Sequence, residues 1–305
     1  MIVITEFMDE NAVSVLQQRN IDFMYDPNLW QHLDTLYTHI RMARAVIVRN
    51  KTRIDTDLLS HAPNLKVVGR LGVGLDNIDT KLCQQKNIAV CPAQGANADS
   101  VAEYVMASTF ILLRGAYMSQ RAMLDGQWPR NALIGYEVQQ KSMGLIGFGF
   151  IARRVAMRAK AMGMHVMAYD PFIPTDSDVW EGIDNVDVST CLTQSDVVSL
   201  HCPYTPETKH FINQDTLALM KSNAILINTS RGEVVHTHAL AQALKSSQLA
   251  GAALDVFEQE PLSATEAQCL QHIKNLILTP HIAGVTVESN IRVSAVTLQN
   301  VLEYL

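Results

Sequence analysis

The sequence predicts an α/β protein of two domains, each a doubly wound parallel sheet, and three observations carry that prediction. Short β-branched runs alternate with longer amphipathic stretches along the whole chain, the pattern of strands joined by crossover helices. At 305 residues the chain is too long for one ordinary core. A glycine-rich turn at Gly147 and Gly149 opens a second alternating series after the first has run its course.

Taken in order, the first series offers strands at Ile2–Thr5, Ala45–Arg49, Leu65–Gly69 and Ile88–Cys91, with helical stretches such as Asn28–Met42 and Ile54–His61 between them. A long helix is expected from Asp99 to Leu124, with Asp99 or Ser100 as its N-cap, connecting the two domains. The second series offers Ser142–Ile146, His165–Tyr169, Val197–Leu200, Ala224–Ile227, Gly251–Asp255 and Leu276–Leu278 as strands, separated by helices such as Ile151–Met162 and His238–Ser247. Strands joined by right-handed crossovers give the doubly wound, Rossmann-like or flavodoxin-like plan. A final helix, Val287–Leu302, has no strand after it and is expected to return to the first domain.

Composition narrows the function classes. Hydrophobic residues make up 48% and charged residues 18%, as in a protein with ample apolar surface to bury. The net charge of −6 comes without any block of like charges, which argues against a nucleic-acid surface or a polybasic membrane patch. Five cysteines without a CxxC pair point to a reducing compartment, and no run is long and apolar enough for a span or leader. A cytoplasmic protein is expected. The ten histidines are scattered rather than spaced as ligands, so no metal site is expected.

The cofactor motif follows the strand Met143–Ile146. Gly147-Phe148-Gly149-Phe150-Ile151-Ala152 is GxGxxA running into a helix. Gly147 permits the tight turn, Gly149 lets the backbone approach a pyrophosphate, and the helix N-terminus at Phe150 and Ile151 attracts phosphates. Asp170 ends the next strand, 23 positions after Gly147, where a carboxylate can accept hydrogen bonds from the adenosine ribose and repel a 2′-phosphate. NAD is therefore expected over NADP.

Three later strand ends supply charged groups: Arg231 in Asn228-Thr229-Ser230-Arg231-Gly232, Glu260 in Asp255–Pro261, and His281 in Thr279–Gly284. Ligands of open α/β sheets sit outside the carboxyl ends of strands, so the three can converge there. An arginine fork suits a planar carboxylate and an adjacent keto oxygen. Histidine can deliver or remove a proton near neutral pH, and a carboxylate bonded to the ring fixes its tautomer and favours the imidazolium.

These segments resemble the D-isomer-specific 2-hydroxyacid dehydrogenase family over nearly the whole chain. The resemblance implies Arg231, Glu260 and His281 as catalytic residues of a hydride transfer between nicotinamide and C2 of a small 2-hydroxy or 2-keto acid. It implies a substrate loop at Leu71–Asp79, whose Val73 and Gly74 amides would hold the substrate carboxylate together with Arg231 and His281. The stretch His201–Thr208 resembles the family's turn beside the cofactor, which places His201, Cys202, Pro203 and Thr208 among its contacts. Thr229 and Asp255 would line the nicotinamide side, with His281 and Gly284 nearby. Ala152 departs mildly from the family's final glycine. The implied domains are 1–96 with 284–305 for substrate and 97–283 for NAD, hinged near Asn97 and Gly284, and closure over substrate is expected. A homodimer through the cofactor domain is implied.

Arg49-Asn50-Lys51-Thr52 most resembles the phosphoglycerate dehydrogenase branch, in which Arg49 and Lys51 would meet a second anionic group. Phosphoglycerate-like, sulfolactate-like and hydroxypyruvate-like substrates rank above lactate on that ground. The chain stops at Leu305, so the sensing domain of the long phosphoglycerate enzymes is expected to be absent. A rival reading is a non-catalytic NAD(H)-sensing module of corepressor type, which would also keep the triad. Trp128 is read as a packing residue, and His236 and His238 as helix-start residues.

Overall fold

A computed structural model describes residues 1–305. The chain forms two compact units, Met1–Asn97 with Val285–Leu305, and Ala98–Gly284. The first unit runs β1 (Ile2–Ile4), α1 (Glu10–Gln18), β2 (Phe23–Tyr25), α2 (Leu33–Ile40), β3 (Ala45–Val48), α3 (Thr56–Ser60), β4 (Val67–Arg70), α4 (Thr80–Gln85) and β5 (Ala89–Pro92). Its sheet has the order β2-β1-β3-β4-β5, parallel throughout. β1 and β3 are central and buried along their whole length, which is why they read as continuous apolar runs rather than alternating ones. The winding reverses between these two strands, so their carboxyl ends form the switch point of this sheet.

The second unit runs α5 (Ala98–Arg114), α6 (Gln120–Leu124), β6 (Ser142–Ile146), α7 (Phe150–Ala161), β7 (His165–Tyr169), β8 (Asp184–Asn185), α8 (Val188–Gln194), β9 (Val197–Leu200), α9 (Gln214–Leu219), β10 (Ile225–Asn228), α10 (Thr237–Lys245), β11 (Gly251–Leu254), α11 (Ala264–Leu270) and β12 (Leu276–Leu278). Its parallel sheet has the order β12-β11-β10-β9-β6-β7-β8, with the switch point between β6 and β9. α7 buries Ala152, Val155, Ala156 and Ala159, a stripe at helical spacing whose small side chains let the helix lie close to the sheet.

The last helix, α12 (Val287–Leu302), belongs to the first unit. Thr297 donates to the Arg70 carbonyl at 3.1 Å and Asn300 to that of Pro92 at 3.4 Å, while Ser294 accepts from the Asp9 amide at 3.0 Å. These bonds tie α12 to β4, β5 and the start of α1.

Four expectations need correction. The sheets have five and seven strands rather than four and six, because β2 is a half-exposed edge of three residues and β8 an exposed edge of two. Neither carries the buried apolar run that marks an inner strand. The helix expected over Asn28–Met42 is a 3-10 turn at Leu29–Gln31 and then α2, broken at His32, whose ψ of 71° is not helical. The long connector helix ends at Arg114, because Gly115 adopts a left-handed φ of 61°. Asp99 lies inside the first turn of α5, not at its cap, and pairs with Arg158 at 2.9 Å.

All five cysteines are free thiols. No helix is long and apolar enough to cross a membrane.

Candidate active site

The glycine turn sits at the switch point of the larger sheet. Gly147 has φ 88°, and a Cβ there would stand 2.8 Å from the His201 carbonyl and 2.9 Å from the Cys202 nitrogen. Only glycine satisfies both the backbone and the close approach of the loop after β9. Gly149 caps α7 without any side-chain hydrogen bond, and the space where its Cβ would project is open. The first amides of α7, at Phe150 and Ile151, therefore face a cradle with room for a phosphate group. The Thr229 hydroxyl, at the end of β10, is buried and has no protein partner. An open helix N-terminus and an orphaned hydroxyl at strand ends of one sheet fit a dinucleotide.

Asp170 accepts from the Phe148 amide at 2.8 Å and the Phe172 amide at 3.0 Å. It thus braces the glycine turn, with further lone pairs left for a ribose. His201 bonds the Ser199 hydroxyl at 2.9 Å, and burial pushes its pKa down to about 3, so it is neutral. Burial pushes the Cys202 thiol up to about 11. Thr208 donates to the Pro203 carbonyl at 2.7 Å and accepts from the Thr205 amide at 2.7 Å, so this hydroxyl shapes the turn.

The three charged loops lie at the carboxyl ends of β10, β11 and β12. His281 Nδ1 lies 2.7 Å from Glu260 Oε2, and Glu260 Oε1 accepts from the Phe257 amide at 3.2 Å. Burial would raise the Glu260 pKa, but the His281 hydrogen bond and charge, the Phe257 amide and the Arg231 charge together bring it below the ordinary value. The carboxylate so held is a fixed acceptor for Nδ1–H, leaving Nε2 directed to other chemistry. Arg231 donates to the Ser230 carbonyl at 2.6 Å, and its loop is pinned by the fully buried Asn228, whose Nδ2 donates to the Arg231 carbonyl at 2.9 Å.

Asp255 follows β11. Only 1% exposed, its carboxylate accepts from Thr279 Oγ1 at 2.6 Å and from the Ile282 and Ala283 amides, both at 2.8 Å. Its backbone carbonyl takes the His281 N–H at 2.8 Å. This side chain builds the loop in which His281 sits at a left-handed φ of 53°. Nothing in the local sequence distinguishes such a brace from a ligand contact. Gly284 ends this loop and this unit.

One more brace escaped the sequence reading, and the helix-start reading of His236 and His238 matches α10. Glu258 accepts from the Thr237 amide at 2.9 Å and pairs with His210 at 2.8 Å, joining the loops after β9, β10 and β11. His236 caps α10 by accepting from the Ala239 amide at 3.2 Å, and His238 follows in its first turn. Trp128, read as packing, is 77% exposed within the chain.

The first unit carries the remaining residues. Arg49 follows β3; its guanidinium reaches Asn290 Oδ1 at 3.1 Å and lies 5.9 Å from the Phe7 ring. The Lys51 ammonium lies 5.7 Å from the Trp30 ring instead. Val73 and Gly74 stand in the loop after β4, Val73 exposed. Asn77 of that same loop donates to the Thr52 carbonyl at 2.6 Å and the Arg49 carbonyl at 3.3 Å, so the two loops are one construction.

Residues 106–283 match the family model for the NAD-binding domain of D-isomer specific 2-hydroxyacid dehydrogenases. The chain is 49% identical over 301 residues to an (S)-sulfolactate dehydrogenase of Chromohalobacter salexigens, covering 98% of this chain and 96% of that one. It is 34% identical to a D-3-phosphoglycerate dehydrogenase of Archaeoglobus fulgidus, covering 99% of this chain but 56% of that longer protein. A crystal structure of D-lactate dehydrogenase from Aquifex aeolicus, complexed with NAD and lactic acid, superposes with a TM-score of 0.84 at 29% identity, covering 100% of this chain and 95% of that one. With the motif, the sheet order and the charged loops in agreement, the chain belongs to the D-isomer specific 2-hydroxyacid dehydrogenase family and is an NAD-dependent oxidoreductase.

Proposed function

We propose that the enzyme interconverts a small 2-hydroxy acid with its 2-keto acid, first sulfolactate-like and then phosphoglycerate-like acids, which bear a second anionic group, with hydroxypyruvate-like acids, which bear a hydroxyl there, after them. The observation that carries the acid/base assignment is the 2.7 Å bond between His281 Nδ1 and Glu260. The bound dinucleotide supplies or accepts the hydride. As hydride adds to C2, the carbonyl π pair becomes an alkoxide lone pair, and His281 Nε2 gives that oxygen its proton. Glu260 holds the ring's other proton, so the tautomer is set. Arg231 grips the substrate carboxylate and balances charge on the oxygen. In the first unit, Val73, Gly74 and Arg49 are assigned to binding the substrate acid, Arg49 to its second anion. Asp170 sets the preference for NAD over NADP.

The second-anion assignment is supported by likeness to the sulfolactate and phosphoglycerate enzymes and by the Arg49 side chain in the first unit. The test is a panel of 2-keto acids with NADH, followed by nicotinamide absorbance, on wild type and His281→Ala. Sulfopyruvate should outrun pyruvate, and the variant should lose turnover by about 10³-fold or more while still binding NADH. Unimpaired turnover in the variant removes the assignment, and a wild type inert to every acid favours the NAD(H)-sensing alternative.

A homodimer through the second unit belongs to the same reading. It is supported by an apolar stretch between α5 and β6, where Tyr117, Leu124, Trp128, Ile134 and Tyr136 are each more than half exposed.

A further inference from the structure

The switch point of the smaller sheet lies between the ends of β1 and β3, where doubly wound sheets ordinarily take an anionic ligand. The turn after β3 is built for one. Four consecutive backbone amides, Arg49, Asn50, Lys51 and Thr52, point at a single centre. That centre is the carboxylate of Glu6, the second residue after β1. Its Oε1 accepts from Arg49 and Thr52, both at 2.9 Å, and its Oε2 from Asn50 at 3.1 Å and Lys51 at 2.9 Å. Glu6 is 4% exposed. The Thr5 and Thr52 hydroxyls bond at 2.7 Å beside it, and Asn77 ties the far side of the turn to the substrate loop.

We propose that Glu6 is an internal ligand of this sheet and a specificity-determining positioning residue: it fills the anion nest at the switch point and sets the Arg49 backbone. The turn's amides are then closed to substrate, and recognition of the second anion passes to the Arg49 guanidinium. That group is aimed by Asn290 and Phe7 from a backbone that Glu6 fixes. Burial works against the Arg49 charge, and the neighbouring carboxylate opposes that loss. A bound ligand could leave this nest; a side chain cannot. The turn is therefore permanently preorganised. The specificity half of this inference rests on the second-anion reading above, whereas the internal-ligand half does not.

Glu6→Ala removes the equivalent of one acetate molecule from the nest. Its KM for sulfopyruvate should rise about tenfold, the scale of one displaced charge-assisted contact, with the KM for pyruvate within about twofold. Added acetate should raise the variant's melting temperature saturably and restore the sulfopyruvate KM, with neither effect on wild type. Absence of acetate rescue, or equal changes for the two acids, overturns the inference. If Glu6→Ala does not fold, Glu6→Gln fills the hole while presenting an NH2 to two amide donors. It should raise the same KM ratio, without acetate rescue, and an unchanged ratio overturns the proposal. Arg49→Ala separates the two readings. If it affects both acids equally, the second-anion reading fails. If it discriminates between them while the Glu6 variants do not, only the role given to Glu6 fails.

Discussion

Replacing Asp255 by asparagine swaps one oxygen for an NH2 and should cost the enzyme both stability and turnover. Oδ1 serves Thr279 Oγ1 and the Ile282 amide, and Oδ2 serves the Ala283 amide. The better placement of an asparagine keeps its oxygen on the two-donor side and sets NH2 against the Ala283 N–H. One buried amide is then orphaned, at about 1–3 kcal/mol. The two remaining bonds lose their ionic assistance, roughly 1 kcal/mol each. The sum is about 3–5 kcal/mol, which for a unit of this size lowers Tm by roughly 10–15 °C. Because the same carboxylate builds the loop that holds His281 at φ 53°, a small displacement of the ring should reduce kcat by about a hundredfold. The NADH Kd should stay within a few-fold. Thermal melts, NADH titration and steady-state kinetics on one preparation decide the matter. A variant with unchanged Tm and kcat but much weakened NADH binding would refute the bracing role.

Gly147→Ala should weaken NADH binding by at least about tenfold and lower Tm, because a Cβ would stand 2.8 Å from the His201 carbonyl at a left-handed φ; calorimetric titration measures it. Glu258 has a depressed pKa: burial would raise it, but the Thr237 amide and the His210 pair outweigh that. Its contribution to stability is therefore complete above the unfolded value near 4.5 and is lost as pH falls through the lower folded value. Glu258→Gln should flatten the decline of unfolding free energy in that window, by at most roughly 1.4 kcal/mol per pH unit, as read from denaturant melts. Trp128→Asp should shift the particle mass from dimer to monomer in light scattering with the fold intact, and an unchanged mass would place the interface elsewhere.

The inner strands were legible because parallel sheets buried on both faces leave continuous apolar runs, as in Ala45–Val48 and Val197–Leu200. Edge strands leave no such mark: Asp184 and Asn185 pair with β7 through backbone alone. Gly147 was legible because a glycine between a strand and a helix has a steric reason to be there. Arg231, Glu260 and His281 stood out together because a guanidinium, a carboxylate and an imidazole at successive strand ends suit one chemistry. Glu6, Glu258 and the brace made by Asp255 were not. Each works by receiving backbone amides distant in sequence, such as the 43 positions from Glu6 to Arg49, and a buried acceptor looks like any other carboxylate until the fold closes on it.

The backbone passes between its two units only twice, after Asn97 and after Gly284, and Arg231, Glu260 and His281 all lie between those crossings. The residues proposed for proton transfer thus share one uninterrupted stretch of chain, while the turns at 49–52 and 71–79, proposed for substrate, belong to the other unit. On that proposal, variation in those turns redirects which acid is accepted without disturbing a peptide of the proton-transfer loops. Libraries meant to alter substrate range belong there, with Glu6 and Asn77 left in place as the frame.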